Sequence, residues 1–121
     1  LFVEGRPAQV VPGKKFDPEV VERDGTRIET AFQSLFYREL EEDSYGHTYD
    51  IVVCHGNVIR YFVMRALQLP PEAWLRLRTF NCSLTYVLIR PSGSVSLNSM
   101  GDVSHLLMDA ISFSSHLGFE W

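Results

Sequence analysis

From Cys54 to Arg60 the sequence reads Cys-His-Gly-Asn-Val-Ile-Arg, a thiol, an imidazole, an amide and a guanidinium within seven positions. Two phosphate chemistries fit such a string. Cysteine, five residues and arginine is the spacing of phosphatases whose nucleophile is a thiolate: the loop curls its N–H groups around the phosphate and the arginine grips it bidentately. Alternatively, His55 stands where a strand gives way to a helix, followed by Gly56 and Asn57. A helix that begins there aims its free N–H groups and the positive end of its dipole at whatever lies beyond the strand, and anions bind such ends. A histidine with an ordinary pKa of about 6.5 can be held protonated by a phosphate and neutralise phosphoryl oxygens. The plainer alternative is a turn histidine whose ring satisfies a backbone group. Asn57 is both a good helix cap and a possible amide donor to a phosphate oxygen.

These residues depend on the elements around them. Tyr49 to Cys54 (YDIVVC) is a short β-branched run, which predicts a strand buried on both faces of a sheet. Cys54 falls in phase with it, and Val58 and Ile59 would stiffen any phosphate loop, so the context favours Cys54 as a small core residue. Val58, Ile59, Phe62, Val63, Ala66 and Leu67 keep helical spacing until Pro70-Pro71 ends the helix. Upstream, Ile28, Ala31, Phe32, Leu35 and Phe36 predict an amphipathic helix from Val20 to about Glu41. Asp24-Gly25-Thr26 could interrupt or start it, Thr26 and Glu29 having capping-box spacing. Residues 5 to 18 hold Gly5, Pro7, Pro12, Gly13 and Pro18 and read as an extended loop. Glu41-Glu42-Asp43 reads as a solvated helix end or loop. A short helix is expected at Pro71–Leu75, and a hairpin of Ser83–Arg90 and Ser94–Asn98 around Pro91-Ser92-Gly93. The order of loop, helix, strand, helix and hairpin favours a layered α/β unit.

Composition narrows the choices. The 121 residues, 45% hydrophobic, suffice for one modest core. A net charge of −4 without a lysine- or arginine-rich run gives no nucleic-acid footprint. Cys54 and Cys82 make no disulfide framework or zinc-finger spacing, which favours a reducing compartment. No apolar run has the length of a membrane helix.

Several blocks arrive in order: Asp24-Gly25-Thr26-Arg27-Ile28-Glu29 through Phe32, Val53 through Tyr61, Arg65-Ala66-Leu67-Gln68, Pro70-Pro71-Glu72, Trp74-Leu75-Arg76, Asn81, Ser83, Ile89-Arg90-Pro91 and Gly101-Asp102. Together they resemble the histidine phosphatase superfamily, which includes the phosphoglycerate mutases. Within it they resemble a mitochondrial serine/threonine-protein phosphatase branch that kept the mutase fold without mutase activity. The resemblance implies a three-layer α/β phosphoglycerate mutase-like fold, here its C-terminal portion over residues 1–105, with 106–121 as a divergent tail that packs or binds a partner. It also implies hydrolysis of phosphoprotein phosphoesters through a phosphohistidine. His55 matches the family's second histidine. Leu1-Phe2-Val3-Glu4-Gly5-Arg6-Pro7 is similar to the Leu-x-x-Glu-Gly-x-Pro segment whose glutamate protonates the leaving oxygen, so Glu4 matches the acid. Gly56, Asn57 and Asn81 would border the phosphate.

No Arg-His-Gly, the family's source of the nucleophilic histidine, occurs in these residues, and His47, His105 and His116 do not stand at the end of a β run before a glycine turn. The chain by itself is therefore expected to be inactive, with an exposed edge at Tyr49–Cys54. The resemblance implies no metal and no cofactor, phosphoprotein substrates and a homo-oligomer. It places the protein at the mitochondrial outer membrane through a segment that this chain does not contain. A reading from another class is a non-catalytic interaction module that binds a protein through that edge; the thiolate phosphatase with Cys54 and Arg60 is a third.

Overall fold

Asp17-Pro18 starts the first helix, α1, in a computed structural model that describes residues 2–9, 15–37 and 46–113. α1 spans Pro18–Phe36: the Asp17 side chain accepts the Glu19 amide at 3.0 Å, and proline fills the first turn, where its missing N–H costs nothing. The expected break at Asp24-Gly25-Thr26 does not occur, nor does the capping box, because the helix is already under way there and Glu29 is engaged elsewhere. Gly25 stays helical although glycine is a poor helix former. The reason is tertiary: a Cβ at Gly25 would lie 2.7 Å from the Pro7 carbonyl oxygen. The helix ends at Phe36, short of Glu41, and Glu41-Glu42-Asp43 lies outside the described residues.

The second helix, α2, spans Gly56–Ala66 and closes with a left-handed turn at Gln68 (φ 58°). There the Gln68 amide reaches Arg65 O and the Leu69 amide reaches Met64 O, so the last carbonyls are satisfied before Pro70. A 3-10 turn at Pro71–Arg76 follows. Strands β1 (Leu84–Ile89) and β2 (Val95–Asp102) form an antiparallel hairpin, Ile89 opposite Val95 and Leu84 opposite Asp102, with irregular register around Tyr86. β2 runs four residues beyond the expected Asn98, bending at Gly101 (φ 65°), which lets the strand approach Arg78 O.

Two apolar clusters hold the helices. Ile28, Ala31 and Phe32 of α1 meet Val58, Tyr61 and Phe62 of α2, and the Phe62 ring stands edge-on to Phe2, Phe32 and Phe36 at centroid distances of 5.7–6.0 Å. Trp74, fully buried, packs with Phe16 and Met64, and its indole N–H donates to Ala8 O at 3.0 Å. Both helical stripes therefore bury the face that their spacing predicted. Between the helices a polar knot forms: Glu29 accepts from Tyr61 OH at 2.6 Å and from Arg65 Nε and Nη2 at 2.9 and 2.8 Å.

The expected buried strand at Tyr49–Cys54 is corrected. The segment forms no strand: among the described residues the sheet contains β1 and β2 alone. Tyr49, Ile51 and Val53 are 77%, 91% and 91% exposed. A β-branched run becomes a buried strand only where neighbouring strands and covering helices exist. Of the tail, residues 106–113 include a short turn at Met108–Ala110, and Phe113 packs edge-on to Phe80; Phe119 and Trp121 lie outside the described residues. No helix among the described residues is long and apolar enough to cross a membrane.

Candidate active site

α2 begins without help from its own sequence. His55 occupies the cap position in extended conformation (ψ 159°), but its side chain makes no capping hydrogen bond. The orphan amides of a helix start need an acceptor, and Glu4 supplies it from 53 positions upstream: the Asn57 amide donates to its two carboxylate oxygens at 3.1 and 3.4 Å. A carboxylate at a helix N-terminus also meets the positive end of the dipole. The His55 ring is exposed and, among the described residues, makes no hydrogen bond. A turn histidine spent on the backbone is thus not what the fold builds. An imidazole faces solvent one residue before a helix whose second amide, that of Asn57, holds a carboxylate.

Asn57 is 2% exposed and ties the two segments together. Its amide nitrogen donates to Gly5 O at 2.9 Å, and its oxygen accepts from Arg60 Nη1 at 2.8 Å. Gly56 lies against the loop before β1, where a Cβ would come within 2.9 Å of the Thr79 hydroxyl, so a side chain there would press on buried Thr79. Asn81 is used differently: its backbone and side-chain N–H groups reach Ser112 O and Oγ at 2.8 and 3.0 Å, fixing residues 106–113 to the turn before β1. The structure thus brings Glu4, His55, Gly56 and Asn57 together, and engages Asn81 with Ser112.

The loop that carries Glu4 is held from the other side by α1. Arg27 donates to Val3 O at 2.6 Å and Glu4 O at 3.2 Å, and buried Asp24 accepts the Arg6 amide at 3.0 Å. Burial would raise the Asp24 pKa, but the Arg6 amide and the Arg23 and Arg27 guanidiniums outweigh it and hold the carboxyl below its usual range. Motif reading passed over these contacts as site features. The i, i+3 spacing of Asp24 and Arg27 puts them on one helix face, but their partners lie 18 to 24 positions away in an irregular loop, for which no periodicity exists.

The thiolate arrangement finds no support in the geometry. Burial pushes the Cys54 thiol up, the Glu4 carboxylate adds to that and the His55 amide only partly opposes it, whereas a thiolate nucleophile needs a depressed pKa. Cys54 packs against the Phe62 cluster. Arg60 is bound to Leu77 O at 2.8 Å as well as to Asn57. Of the other histidines, His47 and His105 are exposed and His116 lies outside the described residues. Among the described residues no three of His, Cys, Asp and Glu group so as to hold a metal ion.

Residues 12–102 match the family model of the histidine phosphatase superfamily (branch 1). The chain belongs to this superfamily. Histidine phosphatase relatives include the mitochondrial serine/threonine-protein phosphatase Pgam5 of Caenorhabditis briggsae, 48% identical over 121 residues, covering 94% of this chain and 41% of that protein. The human PGAM5 phosphatase is 46% identical over 120 residues, with 94% and 40% covered. Among solved structures, phosphoglycerate mutase from Plasmodium falciparum superposes with a TM-score of 0.51 and 41% identity, over 74% of this chain and 55% of that one. The fold is accordingly phosphoglycerate mutase-like, and the chain spans about 40% of the length of the curated relatives named here. Glu4 precedes the match to the family model, which begins at residue 12.

Proposed function

We propose that this chain supplies the second histidine and the proton-donating glutamate of a serine/threonine-protein phosphatase that works through a phosphohistidine, its nucleophilic histidine coming from an Arg-His-Gly segment joined to it. The observation that carries this reading is at the start of α2: Glu4 anchored on the Asn57 amide, two residues after His55, whose ring is turned to solvent. In this scheme the nucleophilic imidazole nitrogen forms a bond to phosphorus as the bond to the serine or threonine oxygen breaks. Glu4 hands its proton to the departing alkoxide, a poor leaving group otherwise. His55 and the α2 N-terminus neutralise the phosphoryl oxygens. Water then attacks phosphorus, the P–N bond breaks back to histidine, the Glu4 carboxylate takes the proton that the water sheds, and inorganic phosphate leaves. The relatives' names support a mitochondrial setting and phosphoprotein substrates. By the same resemblance the working form is a homo-oligomer at the outer membrane.

In a protein joining this chain to an Arg-His-Gly segment, His55→Ala abolishes turnover of a phosphothreonine peptide, while Cys54→Ser keeps most of it. Full activity of the His55→Ala protein would sink the assignment, and so would measurable phosphatase activity of the 121-residue chain alone. The exposed face of Tyr49, Ile51 and Val53 favours a second reading, a non-catalytic module that pairs this edge with another protein. An inactive joined protein that still captures a partner through this edge would favour it.

A further inference from the structure

We propose that Asp24 and Arg27 are positioning residues that aim the Glu4 acid, acting through the loop backbone; this rests on Glu4 being the proton donor. The loop of residues 3–7 has no regular structure to fix it. α1 grips it at successive points: Arg27 takes the carbonyls of Val3 and Glu4, Asp24 takes the Arg6 amide, and Gly25 lets the Pro7 carbonyl come so close that a Cβ there would lie 2.7 Å from it. Gly5, at the centre, lies so close that a Cβ there would sit 2.6 Å from Arg27 Nη2 and 2.9 Å from the Asp24 carboxylate and would displace the two side chains that hold the loop. The backbone therefore lies flush on α1.

On its opposite side the loop meets α2, where Asn57 takes both the Glu4 carboxylate and Gly5 O. Two helices thus fix one irregular segment from two sides. The Arg27 guanidinium donates to main-chain carbonyls while the Glu4 carboxylate points to α2, so Arg27 sets where the acid sits. A proton donor must be within about 2.6–3.2 Å of the oxygen it protonates, and a displacement of about 1 Å can cost on the order of 10²-fold in rate.

The test uses the joined, active protein and two substrates. A threonine alkoxide needs a proton to leave, whereas 4-nitrophenolate departs without one. Losses are read in kcat/KM, which reports the steps through departure of the leaving group and not the later hydrolysis shared by both substrates: Glu4→Gln should lower it for a phosphothreonine peptide by ~10²-fold or more and for 4-nitrophenyl phosphate by only a few-fold. Arg27→Met should show the same selectivity at ~10-fold or more on the peptide, with Arg27→Lys, which keeps the charge and one donor group, in between. In the Glu4→Gln background, Arg27→Met should add less than about twofold on either substrate, because its effect passes through the acid. Asp24→Asn gives a milder version of the same ratio should Arg27→Met fold poorly. Equal losses on both substrates from the Arg27 and Asp24 variants, or multiplicative losses on top of Glu4→Gln, would overturn the positioning role. A Glu4→Gln protein whose kcat/KM falls equally on both substrates would instead overturn Glu4 as the acid.

Discussion

Two segments of this chain, residues 2–9 and 49–53, have no regular secondary structure, yet they end in opposite environments. Residues 2–9 are gripped by α1, α2 and Trp74, with hydrogen bonds to Asp24, Arg27, Asn57 and the indole. Residues 49–53 are the more apolar and β-prone of the two, and they stand open, Ile51 and Val53 each 91% exposed. Intrinsic hydrophobicity would rank them the other way. Burial follows the partners that the fold places opposite a segment, and the polar loop has partners on both sides.

The largest expected effects set the core against the open edge. Phe32→Ala, which removes the ring stacked on Phe36 at 4.4 Å and edge-on to Phe62, should cost about 3–5 kcal/mol. Ile51→Ala and Val53→Ala should stay within about 0.5 kcal/mol of the parent, as exposed substitutions usually do. Urea midpoints check both, and equal costs would erase the distinction between the two environments.

Next comes the knot that joins the helices behind the gripped loop. Arg65 chiefly, with help from Tyr61 and Gln33 and against the cost of burial, holds Glu29 down to about 2 from an ordinary 4.5. A carboxylate whose folded pKa is depressed contributes stability that is whole above the unfolded value and is lost as pH falls through the folded one. Stability should therefore decline between pH 4.5 and 2 by on the order of 2 kcal/mol from this group, after allowance for partial exposure. Glu29→Gln should flatten that part of a pH–stability curve, and an unchanged slope would show that the pair contributes nothing.

A smaller effect separates the two helix starts. Asp17→Ala, which removes a side-chain cap from α1, should cost about 1 kcal/mol. His55→Ala should cost less than about 0.5 kcal/mol, since the α2 start is capped by Glu4 and the His55 ring caps nothing. Thermal unfolding of the two variants side by side checks this, and a large loss from His55→Ala would mean that its ring has a structural partner. The smallest change in stability is expected from Ile51→Lys with Val53→Lys. That pair should leave the unfolding midpoint in place yet reduce self-association in sedimentation, because charges on an open edge oppose strand pairing.

The helices were legible because a helix writes its burial into local spacing. Ile28, Ala31 and Phe32, then Val58 and Phe62, mark the faces that meet. The hairpin was legible from Pro91-Ser92-Gly93, Gly93 taking the positive φ of 83° that the turn needs. The continuation of α1 through Gly25 was not, since the Pro7 oxygen that makes glycine suitable there lies 18 positions back. Of the site, His55 and Gly56 stood out as a strand-to-helix turn. Only the resemblance put Glu4 in the site, and its seat on the Asn57 amide, 53 positions on, has no local signal.

The sequence by itself determined the two amphipathic faces, the hairpin and the family, because periodicity, turn chemistry and ordered motif blocks are local properties of the chain. Only the tertiary structure decided that Glu4 caps α2 and that Asp24 and Arg27 hold its loop. Each of these depends on which groups meet across long stretches of sequence. A hydrogen bond or a buried face needs a partner that local pattern does not specify.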